Sequence, residues 1–189
     1  QDPVQGIAEA LASPERLDEV LLDRLLTKCS EHLSIFAAPV VLDRDYDISP
    51  DACDMVIDVV RQNVPYVAVD LPHTWTAWTK RLLLQADEVV ITAAPDLANL
   101  RNAKNIVDLL KQARTNDGPP HLVLNMANMQ KRPEISVKEF AQSLDLKPLA
   151  VIRLKLLERR HIASATDIKF KIWCTRESHE ARYKYRGNR

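Results

Sequence analysis

The chain has 189 residues, a length typical of one domain of about 100–200 residues. Its 26 Lys and Arg balance 26 Asp and Glu, which argues against a nucleic-acid binder held by a generally basic surface. No apolar run reaches the ~20 residues of a membrane-spanning helix, and three widely spaced cysteines without a signal-peptide pattern favour a reducing, cytoplasmic compartment.

The first third of the chain is predicted to be mainly helical. Apolar spacing predicts helices at residues 7–11, at 17–26 and from Ser49 onward, and a short strand at 33–38. Proline directly after Ser13 and Ser49 is typical of a helix start, because the first helical turn leaves its N–H groups unpaired. The third helix would bury one face, formed by Met55, Val56, Val59 and Val60.

From residue 66 onward, predicted strands alternate with predicted helices. The strands are expected at residues 66–70, 88–94, 121–125 and 149–152, and the helices at 75–84, at 96–114 and between Ser136 and Leu144. The apolar run that begins at Tyr66 predicts a strand buried on both faces. Ser136 and Glu139 have the spacing of a capping box. The alternation predicts an α/β fold with a mostly parallel sheet flanked by helices.

The charge changes sign near residue 153. Residues 1–150 hold 15 Lys and Arg against 22 Asp and Glu, whereas residues 151–189 hold 11 against 4. We therefore predict a domain over 1–152 and a basic tail over 153–189. Basic residues beside Trp173, Tyr183 and Tyr185 could contact RNA, DNA or an anionic membrane, but we favour a solvated, poorly ordered tail.

Three polar residues stand at the carboxyl ends of predicted strands, where ligands bind in open parallel sheets. Asp70 follows an apolar strand, as does an aspartate that orients magnesium or water in phosphoryl transfer; the alternative is an aspartate that caps the next turn. Asn125 could hydrogen-bond an adenine edge or cap a turn, and its position alone favours the cap. Asp96 follows Pro95 and is most simply the N-cap of the long helix.

The sequence contains no complete catalytic constellation. Its three glycines, Gly6, Gly118 and Gly187, are far apart, whereas a phosphate-binding loop needs clustered glycines so that backbone amides can approach the phosphates. No Gly-x-Ser-x-Gly pattern supports a serine hydrolase, and the five histidines lack the spacing of a metal site. We therefore predict no catalytic and no metal-binding residue.

Several segments resemble one family. Residues 67–79, which include Asp70, resemble the switch segment of the pilus assembly proteins called CpaE or TadZ, which are related to MinD and ParA. Residues 86–105 are the most specific stretch, and residues 1–7, 122–125 and 131–136 also match in order. The resemblance covers about residues 1–152.

The resemblance implies a cytoplasmic member of the deviant-Walker P-loop ATPase superfamily that helps to place and assemble the Flp (tight-adherence) pilus. ATP and Mg²⁺ would be its cofactors, with Asp70 as the switch aspartate and Asn125 on the adenine side. The implied partners are pilus and secretion proteins at the inner membrane and further copies of the chain, and the implied location extends to the inner membrane and the cell pole. No nucleic-acid partner is expected outside the basic tail.

The sequence also departs from this family. The family's P-loop, first helix and second strand have no counterpart in these residues, which suggests a truncated or frame-disturbed member. We expect no ATP hydrolysis by this chain, and whether it binds ATP stays open. The family's first strand is central in the sheet, so its loss would leave two neighbouring strands with unpaired edges. Marginal stability or self-association is therefore expected.

A non-catalytic scaffold on the same fold is the alternative function. Trp75, Trp78 and the helix from Asp96 would be its contact surfaces, although tryptophans three residues apart more simply pack their own helix. Nucleotide dependence separates the two functions, because a switch changes its self-association with ATP and a scaffold does not.

Overall fold

The computed structural model describes residues 7–36, 49–71, 74–129, 132–153 and 169–175. Contacts divide the chain into two units, residues 1–67 with 175–189 and residues 68–174. The predicted boundary near residue 153 stays a prediction, and the resemblance at residues 1–6 lies outside the described residues. Within the described part, no helix is long and apolar enough to cross a bilayer.

Among its described residues, the first unit has three α-helices and a small hairpin. In chain order these are α1 (Ile7–Ala12), a 3₁₀ turn (Pro14–Arg16), α2 (Glu19–Leu25), β1 (Thr27–Lys28), β2 (Ser34–Ile35) and α3 (Pro50–Asn63). Apolar side chains of the three helices and of Leu17, which follows the 3₁₀ turn, share one core, formed by Ala10, Leu17, Leu22, Leu25, Val56 and Val60. All three predicted helices of this region are therefore present.

Three details of the first unit differ from prediction. Pro14 begins only the 3₁₀ turn, and α2 is capped instead by Asp18, whose carboxylate accepts the N–H of Leu21 at 2.7 Å. Met55 is 43% exposed, so the predicted face of α3 is only partly buried. The predicted strand at 33–38 is reduced to β2, which pairs antiparallel with β1; residues 37 and 38 lie outside the described residues.

The second unit is an α/β layer structure. Its elements are β3 (Tyr66–Leu71, which begins at the end of the first unit), α4 (Ala77–Gln85), β4 (Glu88–Ala93), α5 (Leu97–Ala113), β5 (His121–Ala127), α6 (Val137–Leu144), β6 (Pro148–Arg153) and β7 (Lys169–Thr175). The sheet order is β3-β7-β4-β5-β6, and β4, β5 and β6 are parallel. This confirms the predicted fold class. Its core includes the fully buried side chains of Leu83, Ile91, Val107, Leu122, Leu124 and Phe140.

The strand β7 was not predicted. It lies within the basic tail and runs antiparallel to β4, with Val89 opposite Ile172. In the sheet order it also neighbours β3. The expectation of two unpaired edges is therefore wrong for the described sheet, because β7 pairs with both strands. A poorly ordered tail does not describe residues 169–175; Tyr183 and Tyr185 lie outside the described residues.

The strand β3 is less buried than predicted. Its apolar run indicates burial on both faces, yet Tyr66 is 70% exposed and only Leu71 is buried. The physical reason is position, because β3 is the edge strand of the described sheet. An apolar run shows that both faces of a strand tolerate burial, but it does not show that other elements pack on them.

Candidate functional site

The candidate site lies at the carboxyl ends of β4 and β5. There, Asp96 is the N-cap of α5: its Oδ1 accepts the N–H of Asn99 at 2.8 Å. The side-chain amide of Asn99 donates to both carboxylate oxygens, at 2.9 and 3.0 Å. The capping role predicted for Asp96 is therefore confirmed, and one carboxylate orders the first turn of a 17-residue helix.

Asp96 also ties α5 to the chain that follows β5. We call residues 128–129 and 132–136 the β5–α6 loop. Arg132 in this loop forms an ion pair with Asp96, and both side chains are about one-fifth exposed, at 19% and 21%. The N–H of Ile135 donates to the carbonyl of Pro95 at 2.8 Å. Two contacts thus hold the loop against the start of α5.

Asn125 has one engaged atom and one open atom. Its side-chain oxygen accepts the N–H of Met126 at 2.8 Å. Its amide NH₂ group makes no hydrogen bond to any of the described residues, although the side chain is half-buried. The alternative that Asn125 caps a turn therefore explains the hydrogen bond of its side-chain oxygen but leaves its NH₂ group without a role. The NH₂ group remains a donor for a ligand acceptor, which is what an adenine ring nitrogen offers.

The backbone turns sharply just after Asn125. Met126 has φ 57° and Asn128 has φ 64°, and a positive φ costs a residue other than glycine about 1 kcal/mol or more. Glu134 offsets this cost, because its carboxylate accepts the N–H groups of Asn128 at 2.9 Å and Met129 at 2.7 Å. Hydrogen bonds to a charged acceptor are stronger than neutral ones.

Asp70 is exposed near the end of β3 and makes no hydrogen bond to the described residues. The turn that follows Asp70 includes residues 72 and 73, so the turn-capping alternative stays a prediction; the cap of α4 is Thr76. The structure does not bring Asp70 and Asn125 together, because β7 and β4 separate β3 from β5 in the sheet. Three strand spacings amount to about 14 Å. Pro72 and His73 lie outside the described residues.

The sequence analysis missed three side chains of this site. Asn99 shares the cap of α5, Arg132 pairs with Asp96, and Glu134 holds the β5–α6 loop. A signal was present, since two opposite charges flank Pro133 shortly after a predicted strand. Their partners are backbone groups and a distant carboxylate, however, and sequence spacing does not reveal such contacts.

A pocket lies on the side of the sheet where β4 begins, opposite the candidate site. It measures about 280 Å³ and is lined by residues around the start of β4 and the end of α5, among them Glu88, Lys111 and Arg114. Arg114 is 11% exposed, and its guanidinium donates to the carbonyls of Leu83 and Asp87 and to the carboxylate of Asp117. These bonds already occupy the arginine, so its role here is structural.

The residues present fit one end of a nucleotide better than the other. The open NH₂ group of Asn125 suits a base. The phosphate end lacks a fit, because the sequence has no glycine-rich loop of backbone amides. Among the described residues, no group of three or more His, Cys, Asp and Glu side chains could hold a metal ion. Asp70 is a single exposed carboxylate.

Two comparisons with known proteins concern the whole fold. The chain is 23% identical over 157 residues to the septum site-determining protein MinD of Bacillus subtilis (strain 168), covering 80% of this chain and 53% of MinD. The crystal structure of a ParA family ATPase from Chlorobium tepidum TLS superposes with a TM-score of 0.70 at 22% identity, covering 82% of this chain and 63% of that one. No protein-family model matches.

The fold is that of the MinD/ParA-like P-loop NTPases. The likeness to MinD and to the ParA family ATPase supports the ATPase-superfamily part of the resemblance. The chain spans about half the length of MinD and less than two-thirds of the ParA family ATPase. The activities of those longer proteins are therefore not shown for this chain.

Proposed function

We propose that this MinD/ParA-like chain serves pilus assembly of the tight-adherence type and holds the base side of a nucleotide site. The fold and the MinD likeness support the superfamily. Residues 86–105, with Pro95 and Asp96 between β4 and α5, support the narrower CpaE/TadZ assignment. The protein would work in the cytoplasm or at the inner membrane, with pilus proteins and copies of itself as partners.

The observation that carries the nucleotide part of this proposal is the state of Asn125. Its oxygen is fixed by the N–H of Met126, so its NH₂ group has one direction in which to donate. It stands at the carboxyl end of β5, the edge where parallel sheets bind ligands. Asp70, about 14 Å along the same sheet, would lie towards the phosphate end of an extended nucleotide.

We also propose that these 189 residues do not hydrolyse ATP by themselves. Phosphoryl transfer depends on backbone amides and cations that surround the transferred group. Bound Mg²⁺ would supply charge neutralisation, and by the family resemblance Asp70 would be the side chain that faces it. The loop that would hold the phosphates is absent from the sequence. Binding of the base is therefore expected to be weak and not to lead to turnover.

Titration with ATP and with adenosine, followed by calorimetry, tests the nucleotide part. We expect weak binding of both, reduced about fivefold to tenfold by Asn125→Ala, which removes one hydrogen bond. Asn102→Ala, on an exposed position of α5, is the matched control. Equal binding by all three proteins would overturn the base-side assignment, and magnesium-dependent ATP turnover would overturn the lack of hydrolysis.

A scaffold without nucleotide dependence is the second candidate, and one observation favours it. Trp75 is 50% exposed and Leu97 is 74% exposed, which leaves apolar surface beside the carboxyl edge of the sheet. Trp75 precedes α4, whereas Trp78 lies in the helix and is half-buried. Self-association measured by light scattering with and without ATP separates the candidates, since only the switch responds to nucleotide.

A further inference from the structure

We propose that Glu134 is a positioning residue for Asn125. This inference rests on the proposed base site. Glu134 does not contact Asn125; it accepts the N–H groups of Asn128 and Met129. Those two residues belong to the same sharp turn as Met126, whose N–H fixes the Asn125 oxygen. The carboxylate thus holds the turn that sets where the open NH₂ group points.

The backbone conformation is the reason that such a holder is needed. Met126 and Asn128 both have positive φ, and neither is a glycine, so the turn is unfavourable unless its surroundings fix it. A neutral acceptor or water in place of Glu134 would leave two N–H groups less well bonded. The segment would then relax towards ordinary β or α values of φ, and the N–H of Met126 would leave the Asn125 oxygen.

The loop is also held at its other side, which makes Glu134 a fixed anchor rather than a mobile side chain. Arg132 pairs with Asp96 through Nη2, and its Nη1 lies 3.5 Å from the sulfur of Met129. Ile135, next to Glu134, donates to the carbonyl of Pro95. The end of β4, the start of α5 and the turn after β5 are therefore one hydrogen-bonded assembly, with Asn125 at its rim.

A double-mutant cycle on the full chain tests this inference. ATP binding is measured by calorimetry for Glu134→Ala, Asn125→Ala and the double variant. We expect each single variant to bind about fivefold to tenfold more weakly, the cost of one hydrogen bond. We expect the double variant to bind no more weakly than Asn125→Ala, because Glu134 acts through Asn125. A purely structural role would make the two effects add.

Two further variants guard against misfolding. Glu134→Gln keeps one acceptor oxygen, and we expect it to restore part of the binding while amide exchange at Asn128 and Met129 becomes faster. Glu139→Gln is the matched control, because Glu139 also accepts a backbone N–H but serves only the α6 cap. Its binding is expected to equal that of the wild type.

The outcomes separate the inference from the proposed function. If Asn125→Ala weakens binding while both Glu134 variants bind like the wild type, the positioning role is overturned and the base site stands. Additive losses overturn the positioning role in the same way. If Asn125→Ala and the wild type behave identically, the base site is overturned and the inference falls with it.

Discussion

Arg132 and Asp96 form an ion pair between the β5–α6 loop and the N-terminus of α5. The same aspartate caps that helix through the N–H of Asn99. One carboxylate therefore joins the ends of two neighbouring parallel strands, and a change at Asp96 reaches both the helix and the loop.

The two roles of Asp96 can be separated by substitution. Asp96→Asn keeps an oxygen for the N-cap but loses the ion pair, whereas Asp96→Ala loses both. We expect Asp96→Ala to lower the free energy of unfolding by about 1 kcal/mol more than Asp96→Asn, the usual value of an N-cap. Urea unfolding of the two variants measures the difference. Equal stability would show that the cap contributes nothing here.

The ion pair itself is tested by Arg132→Ala. Both side chains are partly buried, so we expect a loss of about 1 kcal/mol, near the upper end for pairs at the surface. In an Asp96→Asn background, Arg132→Ala should cost less, because its charged partner is already gone. The same loss in both backgrounds would contradict the pairing.

Glu139 is expected to make stability depend on acidic pH. The Ser136 hydroxyl donates to its carboxylate at 2.7 Å and the Ser136 N–H at 3.2 Å, and these bonds lower the pKa of Glu139 from its ordinary value of 4.5. A lowered pKa stabilises the folded state above pH 4.5, and this contribution is lost as the pH falls through the lowered value.

Glu139→Gln shows this effect by difference. The variant should be less stable than the wild type at neutral pH, and the gap should close below the lowered pKa, where the wild-type carboxyl is protonated too. Urea midpoints compared near pH 7 and near pH 3 give the two gaps. A gap that stays constant with pH would exclude Glu139 as the cause.

β7 is expected to stabilise the sheet. A chain that ends at Arg153 lacks β7, whereas a chain that ends at Thr175 retains it. Without β7, the edge of β4 would be unpaired and open to pairing with another chain. We expect the shorter chain to self-associate in size-exclusion chromatography with light scattering, and the longer one to do so less. A monomeric, cooperatively unfolding shorter chain would contradict this role.

Arg114 is expected to matter for stability and not for ligand binding. Its bonds to the carbonyls of Leu83 and Asp87 join α5 to the segments before β4. Arg114→Ala leaves these carbonyls without their partner, at a cost of about 2 kcal/mol in urea unfolding. Arg114→Lys keeps the charge but not the planar guanidinium, and its free energy of unfolding should lie between those of the wild type and Arg114→Ala. Unchanged ATP binding is expected in both variants, because the arginine lies on the side of the sheet where β4 begins.

Local signals predicted most of the second unit. Asp96 at the start of α5 and the capping box of Ser136 and Glu139 both mark helix starts that the structure has at those positions. In both cases the interacting residues are three positions apart, so the sequence alone shows that they lie close together. The alternation of strand and helix patterns likewise predicts the parallel strands β4, β5 and β6.

Long-range contacts could not be predicted in the same way. β7 comes from a segment whose charge suggests a solvated tail, and its pairing with β4 depends on an available edge rather than on its own pattern. Arg132 and Glu134 bind a distant carboxylate and backbone N–H groups, which leave no mark in sequence spacing. The low burial of β3 likewise reflects its place at the edge of the sheet, which its own pattern does not reveal.

The place of β7 in the sheet bears on the order of folding during synthesis. Trp173 pairs with Glu88, although nearly half of the chain separates them. The strands β3 and β4 leave the ribosome long before their neighbour is made. Until then, the sheet has a gap at this position, and pairing over such a separation is slow. During that interval the edge of β4 is open to pairing with another chain.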